Sequence, residues 1–258
     1  MLLLGHSKGQ LYERKWIPVR INKYLSLAGV CSRREADRLI AAGKIRINQD
    51  LAQMGSQVTE NDNVYMDGRL VKVEDERILL AVNKPVGIVC TTTSNQGRNN
   101  IVDYLNYPKR IYPIGRLDKD SQGLLLMTND GELMDKLLRS VNGHEKEYIV
   151  DVDKDLDKTF IKRMQAPMYI KELDRTTMPC EVKLLGKRRF SIILKQGLNR
   201  QIRRMCEILG VKVLKLERIR IVNIMLNDLP VGATRHITDE EYIELCKAVY
   251  VGKEEYGK

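Results

Sequence analysis

A chain of 258 residues with 43% apolar and 30% charged residues has room for one large core or two domains and reads as an ordinary folded protein. No apolar run approaches membrane-spanning length, and Leu2-Leu3-Leu4 is too short for a secretion signal, so a cytoplasmic protein with no membrane partner is expected. Five scattered cysteines without a Cys-x-x-Cys pair predict reduced thiols, three separated histidines argue against a histidine-built metal site, and a net charge of +10 points to a polyanion.

Residues 1–17 form an irregular lead-in that holds the only tryptophan, Trp16, and carries no assignable function. From Val19 onward, Ile21, Tyr24, Leu25 and Ala28 fall on one helical face, with Gly29 as a stop. Ser32-Arg33-Arg34-Glu35 has the spacing of a capping box, and Ala36, Leu39 and Ile40 supply the apolar face of the helix it starts, up to Gly43. Ile45 to Asn48 and Asn63 to Met66 read as short strands. Arg20, Lys23, Arg33, Arg34 and Arg38 are left on the outer faces of the two helices, which makes a small basic module over residues 18–75. Glu74-Asp75-Glu76 reads as a linker to a larger domain over residues 76–250, with 251–258 as a tail.

Ile78 to Val82 is apolar enough for a buried strand, and Asn83-Lys84-Pro85-Val86-Gly87 ends it, because proline cannot continue a central ladder. Thr91 to Asn100 is a polar loop suited to touching a polyanionic partner, and Ile101 to Leu105 has room for one or two helical turns. Leu124 to Met127 is a buried strand bounded by Gly123 and Asn129-Asp130-Gly131. Just before it, Gly115 and Gly123 bracket a polar loop, Arg116 to Gln122, that presents Asp118 between buried strands. Glu132 to Arg139 is helical, capped by Asn129 or Asp130. His144 to Val152 is a strand with Tyr148, Val150 and Val152 on one face. Leu156 to Met164 reads as a helix, Pro167 to Glu181 as irregular, and Val182 to Leu185 and Phe190 to Leu194 as strands.

Ile202, Met205, Cys206 and Leu209 mark a helix that ends at Gly210 and carries Arg200, Arg203 and Arg204 near its start. Three arginines beside a glycine turn suit a phosphate clamp, or one of them pairs inward with a carboxylate. Leu214 to Ile221 alternates as a strand with Leu214, Leu216, Arg218 and Arg220 on one face, Gly232 to Ile237 is a loop, and Glu240 to Val249 closes the chain as a helix. Lys187 to Arg220 holds eleven Lys or Arg against two Glu, a concentrated basic stretch of the kind that binds nucleic acid.

Three stretches carry a family resemblance. Gly115-Arg116-Leu117-Asp118 followed by Gly123-Leu124-Leu125-Leu126 and Thr128-Asn129-Asp130-Gly131-Glu132-Leu133 resembles the catalytic motif of RNA pseudouridine synthases, in the branch named for the small-subunit rRNA enzyme, the RsuA family. Asn83-Lys84-Pro85-x-Gly87 is similar to a second motif of that family, and Gln196-Gly197-x-Asn199-Arg200-Gln201-Ile202-Arg203-Arg204-Met205 to a third. Leu27-Ala28-Gly29-Val30-Cys31-Ser32-Arg33-Arg34-Glu35-Ala36 resembles the S4 RNA-binding domain.

The resemblance implies an α+β chain: an S4-like domain, then a catalytic domain with a long, mainly antiparallel mixed sheet. It implies isomerisation of a uridine in 23S rRNA, with a tRNA of similar stem-loop as a second substrate, by a monomeric enzyme without a cofactor. Asp118 is the catalytic carboxylate, either attacking C1′ or removing a C2′ proton. Arg203 is its ionic partner, with Arg200 second in line, and Tyr148 stacks on the flipped base. Arg116, Lys84, Asn199, Arg200 and Arg204 are expected at the substrate, and Arg20, Arg33 and Arg34 on RNA phosphates. Two other classes compete: a glycosidase with Asp120 as the second acid, and a non-catalytic S4-domain RNA-binding or ribosome-assembly protein.

Overall fold

The computed structural model describes residues 18–73, 77–92, 99–139 and 143–251. The lead-in, the Glu74-Asp75-Glu76 linker, most of the Thr91–Asn100 loop and the tail beyond residue 251 lie outside the described residues. Two compact units emerge: one takes the described residues up to Ile78 with Pro108–Arg110 and Asn129–Gly131, and the other takes the rest.

The first unit runs β1 (Val19–Arg20), α1 (Ile21–Leu27), α2 (Arg33–Ala41), β2 (Ile45–Ile47), β3 (Asp50–Leu51), β4 (Gln57–Val58), β5 (Val64–Met66) and β6 (Arg69–Val71). A four-stranded antiparallel sheet in the order β3-β2-β5-β6 is joined by a β1–β4 pair. Ile21, Tyr24 and Leu25 from α1 and Ala36 and Ile40 from α2 are buried with Ile45, Val58 and Val64. That apolar cluster is what a two-helix module with so few residues needs to hold together. Ser32 caps α2 by accepting from the Glu35 N–H at 3.1 Å. Glu35 does not complete the expected capping box. Its carboxylate turns to Arg38 at 3.0 Å, one turn along the helix. Arg20, Arg33 and Arg34 are exposed.

The second unit continues with β7 (Leu79–Lys84), α3 (Ile101–Leu105), β8 (Tyr112–Ile114), β9 (Gln122–Thr128), α4 (Gly131–Leu138), β10 (Lys146–Val152), α5 (Lys158–Gln165), β11 (Tyr169–Ile170) and β12 (Arg175–Thr176). It ends with β13 (Glu181–Gly186), β14 (Arg189–Leu194), α6 (Gln201–Ile208), β15 (Val213–Ile221), β16 (Ile224–Met225), β17 (Thr234–His236) and α7 (Asp239–Cys246). Nine strands make one sheet in the order β13-β14-β10-β15-β9-β7-β17, with β16 on β15 and β8 on β9. Every pairing is antiparallel except that of β15 with β9, where Glu217 meets Gln122 and Arg218 meets Gly123.

β7 and β9 are apolar without alternation because both of their faces are covered, and Leu124 to Met127 and Leu80 to Val82 are all buried. One core gathers Val150, Val152, Phe190 and Ile192 under α5 and α6, with the Phe160 and Phe190 rings edge to face at 5.6 Å. A second gathers Leu79, Ala81, Leu124 and Leu126 with Leu133 and Leu137 of α4 and Leu245 of α7.

Three expectations are corrected here. Pro167 to Glu181 is not irregular throughout: β11 and β12 form a small hairpin, with the Thr177 hydroxyl accepting from the Met168 N–H at 2.9 Å. Gly232 to Ile237 contains β17, which adds an edge strand to β7, and Asn83 fixes its approach by donating to the Leu229 carbonyl at 2.8 Å. On β15 the residues Leu214, Leu216, Arg218 and Arg220 do not share a face. The pairing with β10 skips Leu214 and Ile219, and each β-bulge breaks the alternation. Leu214 is therefore exposed while Leu216 and Arg218 are buried. Arg220 instead pairs with Glu147 at 2.9 Å and with Glu145 at 3.1 Å.

Candidate active site

The site is built where the sheet changes from antiparallel to parallel. Gly123 lies between Lys84 of β7 and Arg218 of β15 in the strand register. With φ +111°, its position has no room for a side chain: a Cβ would fall 2.3 Å from the Arg218 carbonyl oxygen and 2.6 Å from its nitrogen. The glycine thus lets two strands close up, and the loop that precedes it is delivered to the sheet's centre.

That loop is held at each step. Leu117 is buried and its N–H meets the Cys90 sulfur at 3.4 Å. The Ser121 N–H donates back to the Asp118 carbonyl at 3.1 Å, and the Gly87 N–H donates to the Lys119 carbonyl at 2.7 Å. Arg203 Nη2 donates to the Asp120 carbonyl at 2.9 Å and to Ser121 Oγ at 3.2 Å. Asp118 is left with its side chain 29% exposed, on an anchored backbone.

The arginines divide differently from the expectation. Arg203 lies on the buried face of α6, and its side chain is 9% exposed. From there it meets the Asp120–Ser121 segment, with Nε 3.4 Å from the Asp120 carboxylate. The expected Arg203–Asp118 ion pair is therefore replaced by an Arg203–Asp120 pair. Arg200, at the start of α6 in the left-handed region (φ 51°, ψ 33°), binds both Asp120 oxygens at 3.1 Å and brings Nη1 to 3.6 Å from Asp118. A non-glycine residue in that conformation costs roughly 1 kcal/mol, a strain typical of functional positions. Burial pushes the Asp120 carboxyl up, but the Arg200 hydrogen bonds and the charges of Arg203 and Arg200 outweigh it and hold it below the usual range.

Lys84, expected to line the cleft, is fully buried. Its ammonium donates to the carbonyls of Pro85 at 2.8 Å and Ile88 at 2.9 Å and so shapes the loop after β7. Burial lowers its pKa, against the opposing pull of Cys90, Asp118 and Asp120, and Arg218 lowers it further. Arg204 turns away from the aspartates: its Nε donates to the Asn199 carbonyl at 3.1 Å and its Nη1 lies 3.4 Å from Glu172. Asn199 and Arg116 are exposed, and Tyr148 is partly exposed on β10, opposite Arg218.

From sequence Asp120 reads only as a glycosidase's second acid, not as the anchor of two arginines, and Lys146 and Arg218 receive no role. For Arg218 a signal existed, since a charge two residues after a buried leucine on a core strand needs a reason to be there. The five cysteines are all free thiols, and burial pushes Cys180 up to about 11 and Cys206 up to about 12.

A nine-stranded mixed sheet with two aspartates, Asp118 and Asp120, on an arginine-held central loop, preceded by an S4-like module, defines a class. The pattern of RNA pseudouridylate synthase matches residues 78–208, and that of the S4 domain matches residues 19–64. The chain belongs to the RNA pseudouridine synthase family, in its RsuA branch, and is an isomerase. It is 52% identical over 232 residues to the dual-specificity RNA pseudouridine synthase RluF of Salmonella typhi, which covers 89% of this chain and 79% of that one. It is 36% identical over 243 residues to the ribosomal large subunit pseudouridine synthase B of Bacillus subtilis (strain 168), covering 91% and 98%. A solved pseudouridylate synthase matches the fold with a TM-score of 0.65 at 26% identity, covering 88% of this chain and 99% of that one.

Proposed function

We propose that this enzyme converts a uridine of 23S rRNA to pseudouridine, takes a tRNA stem-loop as a second substrate, and uses Asp118 as its catalytic carboxylate. The observation that carries the assignment is the Asp118 loop itself, fixed by hydrogen bonds on both sides with Arg200 3.6 Å from the carboxylate. The relatives' names support the substrates: one is a dual-specificity enzyme and another acts on the large ribosomal subunit.

The isomerisation breaks N1–C1′, turns the base and joins C5 to C1′, while the C5 proton leaves and N1 regains one. Nothing is oxidised or transferred to a second molecule. An ionised carboxylate at the sugar serves either route, attack on C1′ or removal of the C2′ proton. Arg200 holds the Asp118 negative charge, and Asp120 holds Arg200 and Arg203 in turn. A base inside a duplex cannot reach Asp118, so the uridine is flipped out, with Tyr148 stacking on it and exposed Arg116 and Asn199 on the RNA beside it. Arg204 acts at the rim through Asn199 and Glu172. Arg20, Arg33 and Arg34 of the S4 domain hold phosphates and set position rather than sequence. The domain boundary falls at residues 75/76, and the enzyme works as a cytoplasmic monomer.

Because C5 loses its hydrogen, RNA labelled with tritium at uridine C5 releases tritium to water on turnover. Wild type should release it from 23S rRNA transcripts, and Asp118→Asn should release none while still binding. Release by Asp118→Asn at the wild-type rate would remove Asp118 from the chemistry.

A further inference from the structure

At one level of the sheet four neighbouring strands present Tyr148, Arg218, Gly123 and Lys84, each directly opposite the next. Directly opposed residues share a face, and the glycine contributes no side chain between Arg218 and Lys84. Lys146 stands two residues before Tyr148 on the same strand. The row therefore sets Arg218 directly beside Tyr148, with Lys146 two residues along the tyrosine's own strand and Lys84 two strands beyond Arg218, next to the loop that carries Asp118.

Arg218 is 3% exposed. Its Nε donates to the Leu124 carbonyl at 2.7 Å, but its Nη2 is buried with no hydrogen-bond partner among the described residues. A buried donor left unpaired is costly, and more so when it is charged. Lys146 donates one hydrogen bond, to the His144 carbonyl at 2.9 Å. Burial and the Arg218 charge together lower its pKa to about 8. Two cations that repel each other, one with a bare donor, make a place for an anion.

The chemistry supplies that anion. Whether Asp118 attacks C1′ or removes the C2′ proton, N1–C1′ breaks with the electron pair going to the base. The free uracil then carries a negative charge spread over N1, O2 and O4 until C5 bonds to C1′ and releases its proton. We propose that Arg218, together with Lys146, donates hydrogen bonds to the carbonyl oxygens of the detached uracil anion as it turns beside Tyr148. This inference rests on the reaction proposed above. It gives both residues catalytic roles, and the base rather than the RNA backbone is what they bind.

The test compares 23S rRNA transcribed with uridine and with 5-fluorouridine, reading the C5-linked product nucleoside under single turnover and RNA affinity separately. Fluorine stabilises the departing anion, so a residue that stabilises it matters less. Arg218→Gln should slow the uridine reaction by about 10²-fold, the usual loss for one donor to a developing charge, and Lys146→Met by about 10-fold. Affinity should stay within about twofold and the defect should shrink several-fold with 5-fluorouridine, while Arg218→Lys recovers part of the rate. Should Arg218→Gln fail to fold, Lys146→Met reads the same comparison.

Equal losses on the two RNAs would make the pair structural, and affinity falling in step with rate would put a phosphate there. Wild-type rates in both variants would also overturn the inference. If wild type and Asp118→Asn were both inactive on every RNA, the underlying reaction would be at fault. If Asp118→Asn were inactive while Arg218→Gln and Lys146→Met matched wild type, only the roles of Arg218 and Lys146 would fall.

Discussion

Asp120 gives different tasks to two arginines that look equivalent in the sequence. It binds Arg200 through both oxygens and receives Arg203 on both its carboxylate and its carbonyl. Asp120→Asn keeps the shape but removes the charge that aims Arg200. We expect about a 10-fold fall in single-turnover rate with RNA affinity nearly unchanged, the pattern of a lost positioning contact. A drop in affinity alone would mean that Asp120 acts on RNA binding instead.

Lys146 provides a test of a different kind. It sits between Leu194 and Ile221 in the strand register, with Arg218 the charged group that lowers its pKa. Its folded pKa, about 8, lies below the 10.5 of a free lysine. Between those values the unfolded chain binds a proton that the folded chain has released. Folding stability from this group therefore rises as pH climbs through that window and is lowest below it. Denaturation at pH 7 and at pH 10 should show wild type gaining on Lys146→Met at the higher pH. A difference that does not change would contradict a half-buried lysine with a depressed pKa.

At the scale of elements, the junction of β9 with β15 is the tightest point. Gly123→Ala places a Cβ against the Arg218 backbone, which cannot swing aside as a side chain would. The strands must part there, and a loss of about 3 kcal/mol or more in a urea titration is expected, with activity lost even where folding survives. Gly131 begins α4, lies outside the left-handed region and has open space at its Cβ. Gly131→Ala should be neutral or stabilise by up to about 1 kcal/mol. Similar losses in the two variants would mean that the close approach is not what Gly123 serves.

Elements were legible where one periodicity ruled. The apolar runs of β7 and β9, the Tyr148 face of β10 and the Ile202 face of α6 follow from spacing alone. β15 was misread because bulges at Leu214 and Ile219 cancel the alternation, and a bulge is set by the partner strand rather than by local sequence. β17 was hidden because an edge strand of three residues needs only backbone partners, which β7 supplies. At the site, the position of the loop that carries Asp118, ahead of a buried strand, was legible from its bracketing glycines, whereas which of Arg200 and Arg203 comes nearer Asp118 depends on how α6 is rotated against that loop. The sequence carries no local signal for that rotation.

For the whole molecule, the proposed roles assign RNA binding and catalysis to different sets of residues. Arg20, Arg33 and Arg34 are exposed on the S4 domain, whereas Arg203 and Arg218 are buried in the catalytic sheet and helix. Replacing the three exposed arginines by Gln should weaken RNA binding and reduce the slope of log affinity against log salt by about 2 to 3, with the bound-state rate unchanged. A lower rate at saturating RNA would show that the S4 domain also shapes the catalytic step.

The most direct test of Asp118 as the residue that makes pseudouridine is chemical mapping of pseudouridine in total RNA from cells lacking the gene, then restored with wild type or with Asp118→Asn. The account predicts that a 23S rRNA position loses pseudouridine on deletion, with a tRNA position alongside it, and that only wild type restores it. A 23S rRNA position restored equally by Asp118→Asn, or no change in any RNA on deletion, would contradict it.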